Sequence, residues 1–429
     1  MPRIVVVGGG FAGLAFCKNI PHDKFQIVLI DKHNYHTFQP LLYQVATAGL
    51  EPDSIAYPLR KIFQKIPNFF FRMTNVLEIS PEKGCIRTTI GELEYDHLVL
   101  ATGTVTNFFG NESIEQKAMG MKFIPETLDI RSLILQNFEA ALLTDDLKER
   151  ESLMNIVIVG AGPTGVELAG AIGELRRHVL PTDYPDLDFR RMRIHLVEGI
   201  DRVLPSFSPR SSRKAQRYLE NLDVNIWLNT IVEGYDGKLI RTNGKPMLTQ
   251  TLIWAAGVKC APIPGIPASE LSRGGRLIVN RYNRIQGLEN IYALGDLAYM
   301  VTPDFPNGHP QVAQPAIQQG RLLAKNFEAI RTGKEMKPFK YKDKGSLATI
   351  GRSRAVADLP GFSTQGAIAW FIWMLVHLMA LVGFRNRIVV FLNWTNNFLS
   401  YNRDIRLIIR PYVRDYELAE QQSVPEREK

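Results

Sequence analysis

The stretch Ile4-Val5-Val6-Val7-Gly8-Gly9-Gly10-Phe11-Ala12-Gly13 decides the fold. Four apolar residues without a polar interruption read as a strand buried on both faces, as in parallel sheets, and the residues from Phe11 to Ile20 read as the helix that follows. Between them Gly8 permits a tight turn, Gly10 lets the main chain approach a pyrophosphate, and Gly13 lets helix and strand pack closely. The helix start offers N–H groups and a positive dipole end to phosphate. Phe25-Gln26-Ile27-Val28-Leu29-Ile30-Asp31 supplies the next strand. It ends in a carboxylate at the spacing that suits a ribose hydroxyl pair, with Lys32 beside it, and so selects an unphosphorylated ribose. A glycine-rich turn without a ligand is the bland alternative, and the coincidence of strand, helix and acid weighs against it.

The design recurs. Asn155-Ile156-Val157-Ile158-Val159 reads as a second such strand, Gly160-Ala161-Gly162-Pro163-Thr164-Gly165 as its loop, and Val166-Glu167-Leu168 as the helix beyond. The strand Arg193 to Glu198 closes in an acid that repels a 2′-phosphate, although an insertion from Arg176 to Arg191 separates it from the glycines. A solvated loop acid is the other reading of Glu198. Two further strands, Tyr95 to Leu100 followed by Ala101-Thr102-Gly103, and Leu252 to Trp254 followed by Ala255-Ala256-Gly257, hold the same relative place in the two halves. Their glycines let the main chain pass close to a cofactor, or simply make tight turns. The expected fold is α/β, with two Rossmann-like dinucleotide-binding domains plus a C-terminal helical membrane-anchoring region. Two such loops imply two dinucleotides held at once, with electrons passing between them.

The chain has 429 residues, 45% of them apolar, and a formal charge of +8, enough for two to three domains with large cores. Its three cysteines, Cys17, Cys85 and Cys260, are far apart. No C-x-x-C occurs, so a dithiol relay lacks its chemistry, and no metal-ligand cluster or nucleic-acid partner is expected. The thiols suit a reducing compartment. The first strand follows Met1-Pro2-Arg3 directly, from which we expect no cleaved leader and a cytoplasmic catalytic part. Residues 126 to 150 read as one long helix, starting near Thr127, whose charges form a solvated face.

Asn290-Ile291-Tyr292-Ala293-Leu294-Gly295-Asp296 is an apolar strand ending in Gly-Asp. With the paired loops, it resembles the two-dinucleotide flavoproteins. The resemblance implies FAD at the first loop, on Gly8, Gly10, Phe11, Ala12, Gly13, Asp31, Lys32, Ala101, Thr102 and Gly103, with Gly295 beside the phosphates and Asp296 on the ribityl chain. It implies NADH at the second, on Gly160, Gly162, Pro163, Thr164, Gly165, Glu198, Ala256 and Gly257. The FAD domain would then be split over 1–125 and 271–365, with the NADH domain inserted at 126–270 and the anchor and tail at 366–429.

Val312-Ala313-Gln314-Pro315-Ala316-Ile317-Gln318-Gln319-Gly320 opens another helix, with Gln314 and Gln318 four residues apart on one face. Two amides can hydrogen-bond a carbonyl oxygen, and Ala313 and Ala316 leave room for a flat ring. Read blind, a glutamine pair on a helix is most often a surface feature. The segment is similar to the A-Q-x-A-x-Q quinone motif of type II NADH dehydrogenases, the non-proton-pumping NADH:quinone oxidoreductases. His36 to Ala46 resembles that family's flavin-side loop and helix, and Leu347 to Arg352 its segment before the anchor. Within the family, Glu167 corresponds to a glutamate near the place where nicotinamide meets flavin; an acid stabilised by the helix dipole is an equally good account of it.

Gly366 to Phe384 carries no Lys, Arg, Asp or Glu, a length that can cross a bilayer. Beyond Arg385-Asn386-Arg387 comes a second apolar face, including Tyr401, punctuated by Arg403, Arg406 and Arg410. This tail reads as monotopic, with Trp370, Trp373 and Trp394 at interface level and arginines for anionic headgroups. Two alternatives stand: a buried helix pair of a homodimer, and a transmembrane hairpin, for which Asn393, Asn396, Asn397 and the arginines are too polar. The expected activity is hydride transfer from NADH to FAD and then two electrons to a membrane quinone (ubiquinone or menaquinone), without pumping, from the cytoplasmic face of the inner membrane. A sulfide:quinone oxidoreductase lacks its redox cysteines here; other pyridine-nucleotide reductases and a slow NADH-binding redox sensor are the remaining alternatives.

Overall fold

The computed structural model describes residues 1–260, 263–400 and 405–414; Tyr401 and Arg403 lie outside them. Along the chain run β1 (Arg3–Val7), α1 (Phe11–Asn19), β2 (Gln26–Asp31), α2 (Leu42–Ala46), β3 (Phe69–Met73), β4 (His97–Leu100) and β5 (Met119–Gly120). Then follow α3 (Ile124–Leu143), α4 (Leu147–Met154), β6 (Ile156–Val159), α5 (Pro163–His178), β7 (Ile194–Val197), α6 (Pro209–Glu220), β8 (Val224–Trp227) and β9 (Thr251–Trp254). The remainder comprises β10 (Ile291–Ala293), α7 (Ala313–Arg331), β11 (Ser346–Thr349), β12 (Ala355–Leu359), β13 (Phe362–Gly366), α8 (Ala367–Ala380) and α9 (Phe384–Ser400).

These elements fall into two units, one of residues 1–37, 56–105 and 258–344, the other of 38–55, 106–257 and 345 onward. The first is built on a five-stranded parallel sheet in the order β10-β4-β1-β2-β3. Val5 pairs with Val28 on one side and Leu98 on the other, and all three are buried in one core with Ile291. The chain leaves β1 in one direction to make β2 and β3, then crosses back to place β4 and β10 on the other side. The crevice outside the strand ends therefore opens between β1 and β4, where the sheet changes direction.

The second unit repeats this plan in the order β5-β9-β6-β7-β8, again all parallel, with the change of direction between β6 and β9. Its N-terminal helical stretch differs from the single solvated helix expected at 126–150. There are two helices, α3 and α4, and Arg131, Ser132 and Asn137 of α3 are buried. The Asn137 amide donates to Thr251 Oγ1 at 2.9 Å and so serves the interior of the unit.

The antiparallel sheet β11-β12-β13 belongs to the second unit, where it docks on α5. The docking follows the helical repeat. Glu167 accepts the Thr349 N–H, Gly170 meets the chain at 350–351 so closely that a Cβ would lie 2.9 Å from Gly351 N, and Glu174 accepts the Arg352 N–H. Residues i, i+3 and i+7 lie on one face of a helix, so one stripe of α5 binds one extended segment.

Helix α8 has 14 residues, about 21 Å at 1.5 Å per residue, against a hydrocarbon core of about 30 Å. Among the described residues no helix is long and apolar enough to cross a membrane. Both tail helices are two-faced. Ile368, Phe371, Leu375 and Met379 of α8 and Phe384, Ile388, Phe391 and Leu392 of α9 are exposed, whereas Ala369, Trp373, Val390 and Trp394 are buried.

Two expectations for the tail are thereby corrected. Trp373 and Trp394 do not sit at an outer interface: their rings pack at 5.2 Å, Trp373 stacks on His377 at 4.4 Å, and the Trp394 indole donates to Gln44 Oε1 at 2.7 Å. Arg406 is part-buried against Asp183 of the same unit, whereas Arg410 stays exposed while pairing with Asp129 at 2.8 Å, so of these two only Arg406 departs from an exposed surface charge. The Trp394 indole finds a protein acceptor, and the basic residues of α9, Arg385 and Arg387, reach Asp53 at 3.5 Å and the carbonyl of Leu381 at 3.0 Å.

Candidate functional site

Each glycine loop grows from the end of its central strand, and the two share the same turn. Gly8 N–H donates to Ile30 O at 2.7 Å and Gly160 N–H to Val197 O at 2.8 Å. Both glycines have φ near the left-handed side, 108° and 102°, and a Cβ on either would strike the neighbouring strand end, 2.3 Å from Ala101 O or 2.6 Å from Ala255 O. A Cβ on Gly13 or Gly165 would lie 1.9 Å from the carbonyl oxygen of Gly8 or Gly160. These positions are closed by protein. Gly10 and Gly162 are different: a Cβ there would meet nothing within 4 Å, and each caps its helix without a side-chain acceptor. Open space facing a helix N-terminus is what an arriving pyrophosphate requires.

The acids reach the loops. Asp31 accepts the N–H of Gly9 at 2.6 Å and of His33 at 2.8 Å. Glu198, despite the insertion before it, accepts the N–H of Ala161 at 2.7 Å and of Ile200 at 3.3 Å. Each carboxylate is thus locked beside its loop before any ribose arrives. Lys32 follows Asp31 exposed; Thr102 and Gly103 follow β4; Ala256 and Gly257 follow β9; Pro163 and Thr164 open α5 at the surface.

In the first unit, Gly295 (φ 67°) lies between two helix starts, and a Cβ on it would be 3.2 Å from the Cβ of Ala12 and 3.1 Å from that of Ala316. Gly320 lets α7 cross α1, since a Cβ there would lie 2.4 Å from Ala12 O. Asp296 accepts from Thr104 Oγ1 at 3.2 Å, and its carbonyl accepts from Gln311 Nε2 at 3.1 Å. The structure therefore gathers Gly10 to Gly13, Gly295, Asp296 and the start of α7. Sequence reasoning passed over Thr104, Gln311 and the buried Gln319, whose Oε1 accepts the Gly295 N–H at 2.7 Å. Gln319 follows Gln318 by about 100° round the helix, and that turn toward the interior was the available signal.

Gln314 and Gln318 do share a face, but both are engaged. Gln318 pairs with the main chain of Lys342, accepting its N–H at 3.0 Å and donating to its O at 2.9 Å, while Gln314 accepts the Lys344 N–H at 3.1 Å. They bind an extended segment as a neighbouring strand would.

In the second unit Glu167 is buried on α5, with Thr349 N–H at 3.3 Å; the indole of Trp373 faces it without closing a hydrogen bond of good geometry. Burial raises its pKa from the ordinary 4.5 to about 8, against the opposing pull of those two donors. It carries a proton at neutral pH. His377 is a satisfied polar group, its Nδ1 donating to Trp373 O at 2.7 Å. The three cysteines are buried, and none forms a disulfide among the described residues.

Two parallel sheets, each with a phosphate-ready loop and a ribose-ready acid, define a pyridine-nucleotide flavoprotein architecture. Residues 2–320 match the pyridine nucleotide-disulphide oxidoreductase family model, and residues 344–404 match the NDH2 C-terminal domain. The chain is 35% identical over 417 residues to the type II NADH:quinone oxidoreductase Ndh of Mycobacterium tuberculosis, covering 94% of this chain and 89% of that one. It is 36% identical over 419 residues to NdhA of the same organism, covering 94% and 88%. The structure of NDH2 from Plasmodium falciparum in complex with NADH superposes with a TM-score of 0.86 at 23% identity, over 95% of this chain and 100% of that one. The chain belongs to the type II NADH:quinone oxidoreductase family.

Proposed function

We propose that this protein oxidises NADH and reduces a membrane quinone, using FAD, without proton pumping. The observation that carries this reading is the pair of loops with open space at Gly10 and Gly162, each beside a carboxylate already locked in place, in a chain whose relatives are NADH:quinone oxidoreductases. FAD, when bound, supplies a carrier that accepts hydride and releases two electrons. The first unit is read as its domain, on Gly8 to Gly13, Asp31, Lys32, Ala101 to Gly103, Gly295 and Asp296. NADH is read at Gly160 to Gly165, Glu198, Ala256 and Gly257. Gln314 and Gln318 fix the segment 342–344, and through it they are read as orienting the quinone.

Glu167 holds a proton in a dry position and is read as a catalytic residue that keeps it available near the reacting groups. Its burial has a measurable consequence. Between 4.5 and about 8 the folded chain keeps a proton that the unfolded chain has lost, so this residue lowers stability progressively as pH rises through that window. Glu167→Gln removes the dependence. Thermal melts should show the variant gaining on the parent at about pH 9 relative to about pH 5. Parallel pH profiles of the two proteins would contradict the assignment.

The outward apolar faces of α8 and α9 are read as seating the protein in one leaflet of the inner membrane from the cytoplasmic side, next to a lipid-soluble substrate. Removing everything after residue 365 would also strip Trp373 from Glu167 and Trp394 from Gln44, so truncation is a poor test. Phe371→Ser, Leu375→Ser and Phe391→Ser together alter only the exposed face. The triple variant should shift from the membrane pellet to the supernatant while retaining FAD and NADH oxidation with a soluble quinone. Unchanged pelleting would defeat the leaflet reading.

A further inference from the structure

We infer that His36 is a positioning residue of the FAD loop: by holding the carbonyl of Gly9 it aims the N–H of Gly10 at the pyrophosphate. The inference rests on the reading that the first loop binds FAD. His36 is buried, and its Nδ1 lies 2.9 Å from Gly9 O. A carbonyl can only accept, so Nδ1 carries the hydrogen. Burial pushes the imidazole pKa down to about 4, so it is neutral, and its ring packs edge-on against Phe11, the first residue of α1, at 5.3 Å.

The consequence comes from peptide geometry. Gly9 C=O and Gly10 N–H belong to one planar trans peptide and point in opposite directions. Fixing the carbonyl on one side fixes the donor on the other, and Gly10 itself has open space beside it, since a Cβ there would meet nothing within 4 Å. Asp31 fixes the preceding peptide through the Gly9 N–H at 2.6 Å. Three consecutive glycines have more backbone freedom to lose than any other tripeptide, and here two side chains remove it from both flanks.

The second loop supports the assignment independently. Ala161 takes the place of Gly9: its N–H goes to Glu198 Oε2 at 2.7 Å, and its carbonyl accepts the main-chain N–H of Leu204 at 2.8 Å. In both loops the two peptides flanking the middle residue are held, one through its N–H and one through its carbonyl. In the second the clamp is main chain, provided by a residue held at φ 49°; in the first it is a side chain and can be replaced.

Asn places its amide nitrogen where His has Nδ1, whereas Gln places it near Nε2 and Phe keeps the ring without a donor. The test is the rate at which holoprotein loses FAD on dilution, followed by the rise in flavin fluorescence. His36→Phe and His36→Gln should release FAD about tenfold faster than the parent, the order expected of one lost hydrogen bond, and His36→Asn should stay close to the parent. NADH affinity should not change in any of them. Release from His36→Asn as fast as from His36→Phe would reduce the residue to packing, and parent-like release from His36→Phe would remove the clamp. Weakened NADH binding with FAD retained would instead overturn the assignment of FAD to this loop. The Asn and Gln variants differ in reach and not in polarity, so their contrast survives any general loss of stability.

Discussion

Gly162→Val should slow reduction of the flavin by NADH by about two orders of magnitude while leaving the fold and the bound FAD intact. Its φ of −70° and ψ of −178° are open to any residue, and a Cβ there touches no protein atom within 4 Å. The side chain would occupy the space through which a pyrophosphate approaches the start of α5. Losing two charge-assisted hydrogen bonds to phosphate corresponds to a fall in kcat/KM for NADH of roughly a hundredfold or more. Stopped-flow reduction, flavin absorbance and a thermal melt together check it. Gly165→Val is the contrast, because its Cβ would fall 1.9 Å from Gly160 O and must displace the helix from the strand. That variant should lose stability as well as NADH binding. If Gly162→Val reduces its flavin normally, the second loop does not bind NADH.

The second large effect is expected at Glu198. Its carboxylate holds the loop through Ala161 N–H, and on the proposed function it also meets the 2′-hydroxyl of the adenosine ribose. Glu198→Arg removes the repulsion of a 2′-phosphate and supplies a bidentate partner for it. The ratio of kcat/KM for NADPH to that for NADH should rise by about a hundredfold, through a gain for NADPH and a loss for NADH as the loop loosens. Glu198→Gln keeps an acceptor for Ala161 and should show the smaller change. An unchanged coenzyme ratio in the Arg variant would show that Glu198 only braces the loop.

What could be read from the sequence was local. A strand without polar residues, a glycine turn and a helix start lie within ten residues, so their chemistry fixes their geometry wherever the chain goes next. Asp31 and Glu198 were legible because a strand end is a defined place, even with an insertion in front of it. The tail was half legible. Its apolar content is plain, but which face of α8 and α9 turns inward depends on Gln44 and Glu167, more than 200 residues away. Trp373 and Trp394 were therefore read as interfacial when they form a buried pair. Arg131 reads as a solvated charge in the sequence because only long-range packing buries it. The glutamine face of α7 was correctly read as a face, yet its partners, the main-chain groups of Lys342 and Lys344, leave no trace in composition or spacing.

The electron acceptor decides what this protein does. The direct measurement is anaerobic: the protein, reduced by one equivalent of NADH, is mixed rapidly with a short-chain ubiquinone or menaquinone analogue while flavin absorbance is followed. The account predicts complete reoxidation at a rate no slower than steady-state turnover, with at least one of the two quinones. Flavin that stays reduced against both, while remaining able to exchange with NADH, would contradict it and leave a nucleotide-binding redox sensor as the reading that fits.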